Sequence, residues 1–214
     1  MTLQLAFALN TIELDALTEV ANIGASRAAS SLRSLAGSEV VLSVPSVDIL
    51  TYDRAAQLVG EGDAGNLVAV HQYFNGEISG AALLIFPETK SLEFVREITG
   101  GDLPLEEVIA MEHEALAETG NIILNGCLAT IANMRHQSLN ISLPEVIHGS
   151  GPEIFSRAAG SVFEITVLFR CFNFFVRRRA IEGYIAMLLD LSSLHPLRAL
   201  IQGLILGAPA EPSS

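Results

Sequence analysis

Basic residues are scarce in this sequence. Of its 214 residues only 12 are Lys or Arg, against 24 Asp or Glu, which gives a formal net charge of −12. Binding to nucleic acid depends on neutralising phosphates with Lys and Arg, and anionic membrane surfaces attract basic segments in the same way. The composition therefore argues against a nucleic-acid partner and against a membrane-surface partner.

Cysteines and membrane-length apolar runs are also few. The two cysteines, Cys127 and Cys171, are too few for a disulfide scaffold and predict reduced, buried thiols. Residues 1–10 contain no basic region, so we expect no secretory signal. The longest uncharged stretch, residues 119–134, contains three asparagines and is shorter than a membrane span. We therefore expect a cytoplasmic protein in which this stretch belongs to a buried helix.

What the sequence does contain is apolar material for a large core. Apolar residues make up 50% of the chain, charged residues 17%, and the mean hydropathy is +0.44. Such a composition is typical of a packed globular domain and excludes intrinsic disorder.

Hydrophobic periodicity and turn residues divide the chain into alternating helices and strands. The 3.6-residue period and the alternating runs are the signals used, together with Gly and Pro at the boundaries. Gly37 lies where the first helix would end, and Asn75-Gly76 is typical of a two-residue type I′ hairpin turn. The predicted helices are residues 12–35, 87–99, 105–134 and 196–206; the predicted strands are residues 39–47, 67–74, 77–86, 139–146, 161–175 and 181–191; the predicted loops are residues 60–66 and 148–152.

The second half of the sequence repeats the first. A shift of 99 residues aligns Glu19 with Glu118 and Asn22 with Asn121, and it also aligns the apolar stripes of the two long helices. We expect a single domain over 1–214, made of two internal repeats at about 10–104 and 105–208. Each repeat would have the order helix–strand–hairpin–helix, and a pseudo-two-fold axis would relate them. The hairpins favour a mainly antiparallel sheet flanked by helices, an α+β fold.

Polar residues at helical spacing are the informative part of the repeat. Asp15, Glu19 and Asn22 are four and three residues apart, so they share a narrow sector of the first helix beside its apolar stripe. The ordinary interpretation is a solvated helix face. Asn is a poor helix former, however, and needs a reason to occur in mid-helix.

The second long helix carries the same pattern in Glu114, Glu118 and Asn121. In both copies the asparagine lies 23 residues before a proline within a predicted strand, Pro45 in the first and Pro144 in the second. The repeat predicts that both Glu-Asn pairs are exposed. The stripe beside them, Leu17, Ala25, Leu116 and Leu124, should be buried.

The two Glu-x2-Asn-x22-Pro copies resemble the signature of the CheC/CheX/FliY family of chemotaxis phosphatases. The flanking residues Glu-Val-Ala-Asn-Ile-Gly at 19–24, Ser-Val-Pro at 43–45 and Ser-Leu-Pro at 142–144 also fit. The resemblance covers roughly residues 10–205, and two copies in one chain are most like the CheC type. One departure is Glu114, which stands where the pattern usually has Asp or Ser.

The resemblance implies removal of the phosphoryl group from the aspartate of a CheY-type response regulator. Asn22 and Asn121 would position the attacking water, and Glu19 and Glu118 would pair with a lysine of the regulator. The remaining roles would be peripheral or structural: partner contacts for Asp15 and Glu114, and support of the strand ends for Pro45 and Pro144.

The chain has no His, Cys, Asp or Glu group with metal-ligand spacing. We expect it to bind no metal itself, and the Mg²⁺ that the resemblance implies would be supplied by the response regulator.

Two other functions are compatible with the same fold. A flagellar-switch-like module would bind the regulator without hydrolysing it, and an adaptor would bind CheD, a glutamine deamidase. The presence of both asparagines favours the enzyme. We expect a monomer.

Overall fold

The computed structural model describes most of the chain as six helices and eight strands. The described residues are 9–37, 39–61, 66–99, 103–133, 138–160, 165–176 and 179–206. In chain order the elements are α1 Thr11–Ala36, β1 Val40–Ser43, β2 Asp48–Thr51, α2 Tyr52–Leu58, β3 Leu67–Asn75, β4 Gly80–Pro87, α3 Glu88–Ile98, α4 Leu105–Asn133, β5 Asn140–Ile141, β6 Glu145–Gly149, α5 Gly151–Ala159, β7 Ile165–Val176, β8 Arg179–Asp190 and α6 Leu191–Ile205.

All eight strands belong to one antiparallel sheet. Its order is β1-β7-β8-β4-β3-β5, with β2 also paired to β7 and β6 also paired to β3. The strands β1 to β4 of the first half correspond to β5 to β8 of the second. When each strand is replaced by its counterpart, the strand order becomes the same order read from the other end. The topology therefore has the symmetry that a pseudo-two-fold axis between the repeats predicts, and the α+β prediction is confirmed.

The sheet is covered by helices on both faces. α1, α3, α4 and α6 pack on one face, where Val68 and Val70 of β3 point into the larger core. α2 and α5 pack on the other face, over Leu67 and Ala69 of the same strand. This alternation along β3 follows from the two-residue period of a strand. It explains why the strand is apolar without a break from residue 67 to 70.

The sequence did not predict α2 and α5. The predicted loop at 148–152 is in fact the end of β6 and the first turn of α5. Ser150 caps this helix, Glu153 completes a capping box, and Pro152 lies in the first turn, where it removes no needed donor. Each half is therefore helix–strand–strand–helix–hairpin–helix, one helix and one strand more than predicted. Pro196 lies inside α6, which begins at Leu191 because Asp190 caps it.

The β3–β4 turn also differs from the prediction. A type I′ turn requires positive φ at its central residues, and Gly76 does not adopt one. Residues 76–79 form a longer connection instead. The Ser79 hydroxyl accepts hydrogen bonds from Asn75 Nδ2 at 3.2 Å and from the Gly76 backbone at 3.3 Å. By contrast, Gly37 ends α1 in the left-handed conformation (φ 58°), as predicted.

The strand predicted at 39–47 ends at Ser43, and β2 follows it from Asp48, whereas the strand predicted at 139–146 is divided into β5 and β6. In both halves the pairing is interrupted between the two strands. Between the pairs Ser43–Asn173 and Asp48–Phe169, four residues face three on β7. Between the pairs Ile141–Phe74 and Glu145–His71, three residues face two on β3. Each interruption is thus a bulge with one extra residue, and each contains a proline, which lacks the N–H that a ladder requires.

Parts of several predicted segments lie outside the described residues. They are residues 62–65 of the predicted 60–66 loop, residue 134 of the predicted helix 105–134, residues 161–164 of the predicted strand 161–175 and residues 207–208 of the second predicted repeat.

α4 is the one helix within the described ranges that is long and apolar enough to cross a membrane, with a mean hydropathy of 1.2. Its apolar side is packed on the sheet, where Leu116, Ile123, Leu124 and Leu128 are buried. The burial is that of a core helix, as the sequence predicted.

α1 and α4 approach each other at two glycines. A Cβ atom built on Gly24 would lie 2.9 Å from Cys127 Cα and 3.0 Å from the Gly126 carbonyl oxygen. One built on Gly126 would lie 3.0 Å from the Gly24 carbonyl oxygen. Because the neighbouring atoms belong to backbones, neither site has room for a side chain.

Glu13 connects the first helix to the last. Its buried carboxylate accepts hydrogen bonds from Arg198 Nε at 3.0 Å and Gln202 Nε2 at 3.0 Å, and from the backbone N–H of Asn10 at 2.9 Å. The Arg198 hydrogen bond, with the Asn10 bond next, lowers the pKa of Glu13 to about 2. The carboxylate is therefore held in its charged form.

A methyl group at the helix crossing should destabilise the fold. Gly24→Ala must move two backbones apart, and we expect it to lower the free energy of unfolding by about 1–3 kcal/mol. Gly203→Ala in α6 is the matched control, because a Cβ there meets nothing within 4 Å. It should raise stability by about 0.5–1 kcal/mol through helix propensity. Urea unfolding measures both, and equal effects would contradict the close approach.

The Glu13 network should make stability depend on pH. Its folded pKa is lowered, so its contribution is present above the usual value of 4.5 and is lost as the pH falls towards 2. We expect the free energy of unfolding of the wild type to fall more steeply over this window than that of Glu13→Gln. Parallel pH profiles from denaturant unfolding would show that Glu13 is not held by these partners.

Candidate functional site

The two Glu-Asn pairs lie on α1 and α4 as the repeat predicted. Glu19 and Glu118 are exposed, whereas Asn22 and Asn121 are half-buried rather than fully exposed. The apolar stripe beside them is buried: Leu17, Ala25, Leu116 and Leu124 are each at most 4% exposed. The asparagines thus lie at the boundary between the core and the solvent, where both protein and solvent groups can reach them.

In the first copy, Asn22 is fully occupied by the backbone. Its Nδ2 donates to the Val44 carbonyl at 2.9 Å and to the Thr18 carbonyl at 3.1 Å, and its Oδ1 accepts from the Val44 N–H at 3.0 Å. Both amide protons and one oxygen lone pair are therefore used. Asn22 pairs with Val44 much as a neighbouring strand would.

Thr18 holds the other end of the same bulge. Its hydroxyl donates to the Leu14 carbonyl at 2.9 Å and accepts from the Val47 N–H at 3.1 Å. Val44 and Val47 are both buried, at 3% and 8% exposure, while Pro45 between them is exposed. The first bulge is thus fixed to the helix at both ends.

In the second copy, Asn121 is held by its oxygen alone. Oδ1 accepts from Gln72 Nε2 at 3.0 Å and from Asn125 Nδ2 at 2.8 Å. The Asn121 Nδ2 group has no hydrogen-bond partner among the described residues, and it is not among the side-chain atoms that are buried without a partner. The second asparagine therefore presents a free N–H₂ group.

The second bulge is fixed to the sheet and not to the helix. Ser142 donates its N–H to the Tyr73 carbonyl at 2.9 Å, its hydroxyl accepts from the Tyr73 N–H at 2.9 Å, and its carbonyl accepts from Gln72 Nε2 at 2.9 Å. Leu143, which follows, is 89% exposed, and Pro144 is half-buried. Because the strand supplies these bonds, Asn121 is not needed to hold the bulge.

Two sequence differences account for this asymmetry. The 99-residue shift places Ala117 opposite Thr18, so the second helix lacks the hydroxyl that fixes the first bulge. The second difference lies on the strand that each bulge pairs with. Leu42 of β1 pairs with Phe174 of β7, and its counterpart Ile141 of β5 pairs with Phe74 of β3. Gln72, two residues before Phe74, therefore corresponds to position 172, two residues before Phe174. That position is a phenylalanine, a residue type with no side-chain donor.

Sequence reasoning missed Thr18, Gln72 and Asn125. The change from Thr18 to Ala117 could have been read from the repeat itself. Gln72 could not, because its contacts are 49 and 70 residues away in the chain.

The remaining predicted residues lie on the surface. Asp15 and Glu114 are exposed, each one turn before the glutamate of its pair. Beside the first pair, an open surface patch is formed by six residues of α1: Glu19, Asn22, Ile23, Ser26, Arg27 and Ser30. This helix face is available for contact with a partner.

Cys127 is partly buried and packs against the larger core, whereas the sequence predicted a buried thiol. It lines an apolar pocket of about 50 Å³ together with Leu17, Val20 and Met187. Burial raises the pKa of its thiol to about 12, so the thiolate needed for nucleophilic chemistry does not form near neutral pH. Within the described residues no group of three or more His, Cys, Asp or Glu could hold a metal ion.

Two family models match the chain, one over each copy of the pattern. The CheC-like family matches residues 12–49, and "Chemotaxis phosphatase CheX" matches residues 68–168. The fold is that of solved chemotaxis and flagellar-switch proteins. Thermotoga maritima FliY superposes with a TM-score of 0.70 at 16% identity, over 92% of this chain and 98% of FliY. A chain of the FliG–FliM complex from H. pylori gives a TM-score of 0.61 at 12% identity, over 87% and 100%.

Sequence relatives agree with the fold. The Bacillus subtilis protein named CheY-P phosphatase CheC is 30% identical over 137 residues, 63% of this chain and 65% of that protein. CheC1 of Halobacterium salinarum is 26% identical over 144 residues, 67% of this chain and 72% of that protein. The chain thus spans just under two thirds of the length of the Bacillus relative. Both halves of the chain are thus similar to proteins of the CheC and CheX group.

Removing the Asn22 side chain should destabilise the fold. Asn22→Ala leaves the N–H and C=O of buried Val44 without their partner, and we expect a loss of about 1–3 kcal/mol in the free energy of unfolding. Asn133→Ala, an exposed asparagine at the end of α4, is the control and should be nearly neutral. Urea unfolding compares the two, and an Asn22→Ala protein as stable as the control would refute the clamp.

Proposed function

We propose that this chain is a phosphatase that hydrolyses the aspartyl phosphate of a CheY-type response regulator in chemotaxis or two-component signalling. The matches to the CheC-like and CheX family models and the names of the Bacillus and Halobacterium relatives support the reaction. The observation that carries the proposal for this chain is the free Nδ2 of Asn121, one turn after exposed Glu118. The outer side of α4, which presents a fixed amide beside a carboxylate, suits insertion into another protein's active site.

The chemistry needs little from the phosphatase. Water attacks the phosphorus in line with the bond to the aspartate oxygen; that bond breaks, its electron pair stays on the aspartate carboxylate, and inorganic phosphate takes the water's oxygen. Asn121 Nδ2 would donate a hydrogen bond to the water oxygen and hold it in line, which removes orientational freedom before the reaction. No nucleophile of this chain is required.

Glu118 would fix how the two proteins dock. A carboxylate on the same helix face can form a charge-assisted hydrogen bond with the lysine beside the regulator's phosphoryl group. Asp15 and Glu114, one turn further back, would contact the regulator at the edge of this surface. Pro45 and Pro144 would act structurally, because each lies in a bulge that its asparagine contacts, Asn22 directly and Asn121 through Gln72.

The regulator's own acidic residues would hold the Mg²⁺ of the reaction. When bound there, the ion supplies charge neutralisation of the phosphoryl oxygens. This chain would contribute the asparagine and the glutamate only.

We propose further that the second copy is the main reacting site. Asn22 could donate a hydrogen bond to a water only after breaking a bond to Val44 or Thr18, whereas Asn121 keeps both of its bonds while it donates. Glu19 and Asn22 would form a second site of lower activity. From sequence alone we expected the two sites to contribute independently, and the sequence did not indicate which of them is faster.

A binding role is the second candidate function. The bonded amide protons of Asn22 favour this role for the first copy. The fold neighbours include a chain of the FliG–FliM complex, so this fold occurs in a protein assembly. An adaptor that binds the regulator or CheD through the α1 face would need no free amide. We propose a cytoplasmic monomer for either function.

The reaction is tested by phosphate release from a phosphorylated CheY-type regulator with Mg²⁺ present. We expect Asn121→Ala to remove most of the stimulated release, Asn22→Ala a smaller part, and the double variant nearly all. Binding of the phosphorylated regulator should survive, because the amide acts in the transition state. Glu118→Ala should weaken binding as well, since it removes a charged contact.

Wild-type protein that binds the phosphorylated regulator without increasing phosphate release would support the adaptor instead. Full activity in the Asn22→Ala/Asn121→Ala double variant would exclude the asparagine mechanism.

A further inference from the structure

Gln72 is a buried amide in a strand that is otherwise a core strand. It lies on β3 with 1% exposure, two residues from Val70, which packs under Gly120 of α4. Burying an amide costs free energy unless it is hydrogen-bonded, so a glutamine at this position needs a structural or functional reason.

The hydrogen bonds of Gln72 lead to the candidate site. Its Nε2 donates to Asn121 Oδ1 at 3.0 Å and to the Ser142 carbonyl at 2.9 Å, and its Oε1 is buried without a partner. The single side chain thus connects the helix asparagine with the first residue of the Pro144 bulge. A residue that only filled space would not need both donors.

Asn125 supplies the second donor to the same oxygen. It lies one turn after Asn121 on α4, and its Nδ2 donates to Asn121 Oδ1 at 2.8 Å. An amide oxygen has two lone pairs, and Gln72 and Asn125 occupy both. If the Asn121 amide turned over, its N–H₂ group would face two other donors. The two donors therefore favour the orientation in which Oδ1 of Asn121 faces inward. Gln72 is itself held by the Ser142 carbonyl, whereas Asn125 leaves its own Oδ1 buried without a partner.

We propose that Gln72 and Asn125 are positioning residues, which hold the Asn121 amide with its Nδ2 directed towards the regulator's phosphoryl group and the attacking water. This inference rests on the proposed function. The first copy lacks the device, because the matched positions are Phe172 and exposed Ser26. Amide orientation thus distinguishes the two copies.

Asn125 offers the sharpest test. If its role is to orient Asn121, Asn125→Asp should be more harmful than Asn125→Ala, and if its role is only packing, the order should be the reverse. Asn125→Asp keeps the shape but replaces the donor with an acceptor, which favours the inverted Asn121 amide. Asn125→Ala only removes the donor. If orientation matters, kcat for phosphate release should fall about fivefold in Asn125→Ala and further in Asn125→Asp. If only packing matters, Asn125→Asp should be the milder change.

KM and the affinity for the phosphorylated regulator should remain close to wild type in both variants. Gln72→Met, which keeps the volume and removes the donor, should also lower kcat with KM unchanged. Thermal unfolding of each variant confirms that it is folded at the assay temperature.

A double-mutant cycle separates this role from a general structural one. In an Asn121→Ala background, Asn125→Asp and Gln72→Met should cost no further activity, because there is no amide left to orient. In an Asn22→Ala background, both should keep their full fold-effects. Equal effects in the two backgrounds would overturn the proposal.

The outcomes also separate this inference from the proposed function. No stimulated phosphate release by the wild type would refute the function. Release that depends on Asn121 but is unaffected by Asn125→Asp and Gln72→Met would refute the positioning role alone.

Discussion

A proline inside a paired strand leaves backbone groups without partners, and the rest of the site depends on how each half supplies them. Pro45 and Pro144 each lie in a bulge at the edge of the sheet, directly below a long helix. Buried backbone N–H and C=O groups must be paired, or the fold loses free energy. The first half pairs them with the helix through Asn22 and Thr18, and the second pairs them with the sheet through Tyr73 and Gln72.

This difference sets what each asparagine can do. An amide that completes a bulge has its donors engaged, and freeing them would cost several hydrogen bonds at the start of each reaction. An amide that is held only by its oxygen keeps its donors and loses little freedom when it acts. The repeated sequence thus gives two similar helices, but the supporting residues around them give one asparagine a structural role and leave the other available.

The sheet topology explains how one chain can tolerate this division. The first strand of each half pairs with the other half: β1 pairs with β7, and β5 pairs with β3. The two long helices also meet, at Gly24 and Gly126. The fold is shared, so a stabilising contact in one half supports both. The first copy, in which both Asn22 amide protons are bonded to the backbone, can therefore stabilise the fold and can still bind a partner through the α1 face.

Much of the fold was predictable from the sequence, whereas the two short helices and the orientation of Asn121 were not, for physical reasons. The repeat, the long helices and the buried stripe follow from periodicity over many residues, which is a strong signal. α2 and α5 are short, and their starts resemble loops because capping residues and Pro152 look like turn residues. The orientation of Asn121 was not predictable, because it depends on Gln72, a residue of β3 that comes close only after the sheet has formed.

The most direct test of the account is the NMR signal of the two asparagine side-chain amides, free and bound to a CheY-type regulator that carries a beryllofluoride group in place of the phosphoryl group. We expect the Nδ2 protons of Asn22 to exchange slowly with solvent and to keep their shifts on binding. Those of Asn121 should exchange rapidly in the free protein and shift on binding. A large shift of Asn22 with an unchanged Asn121 would contradict the assignment of roles.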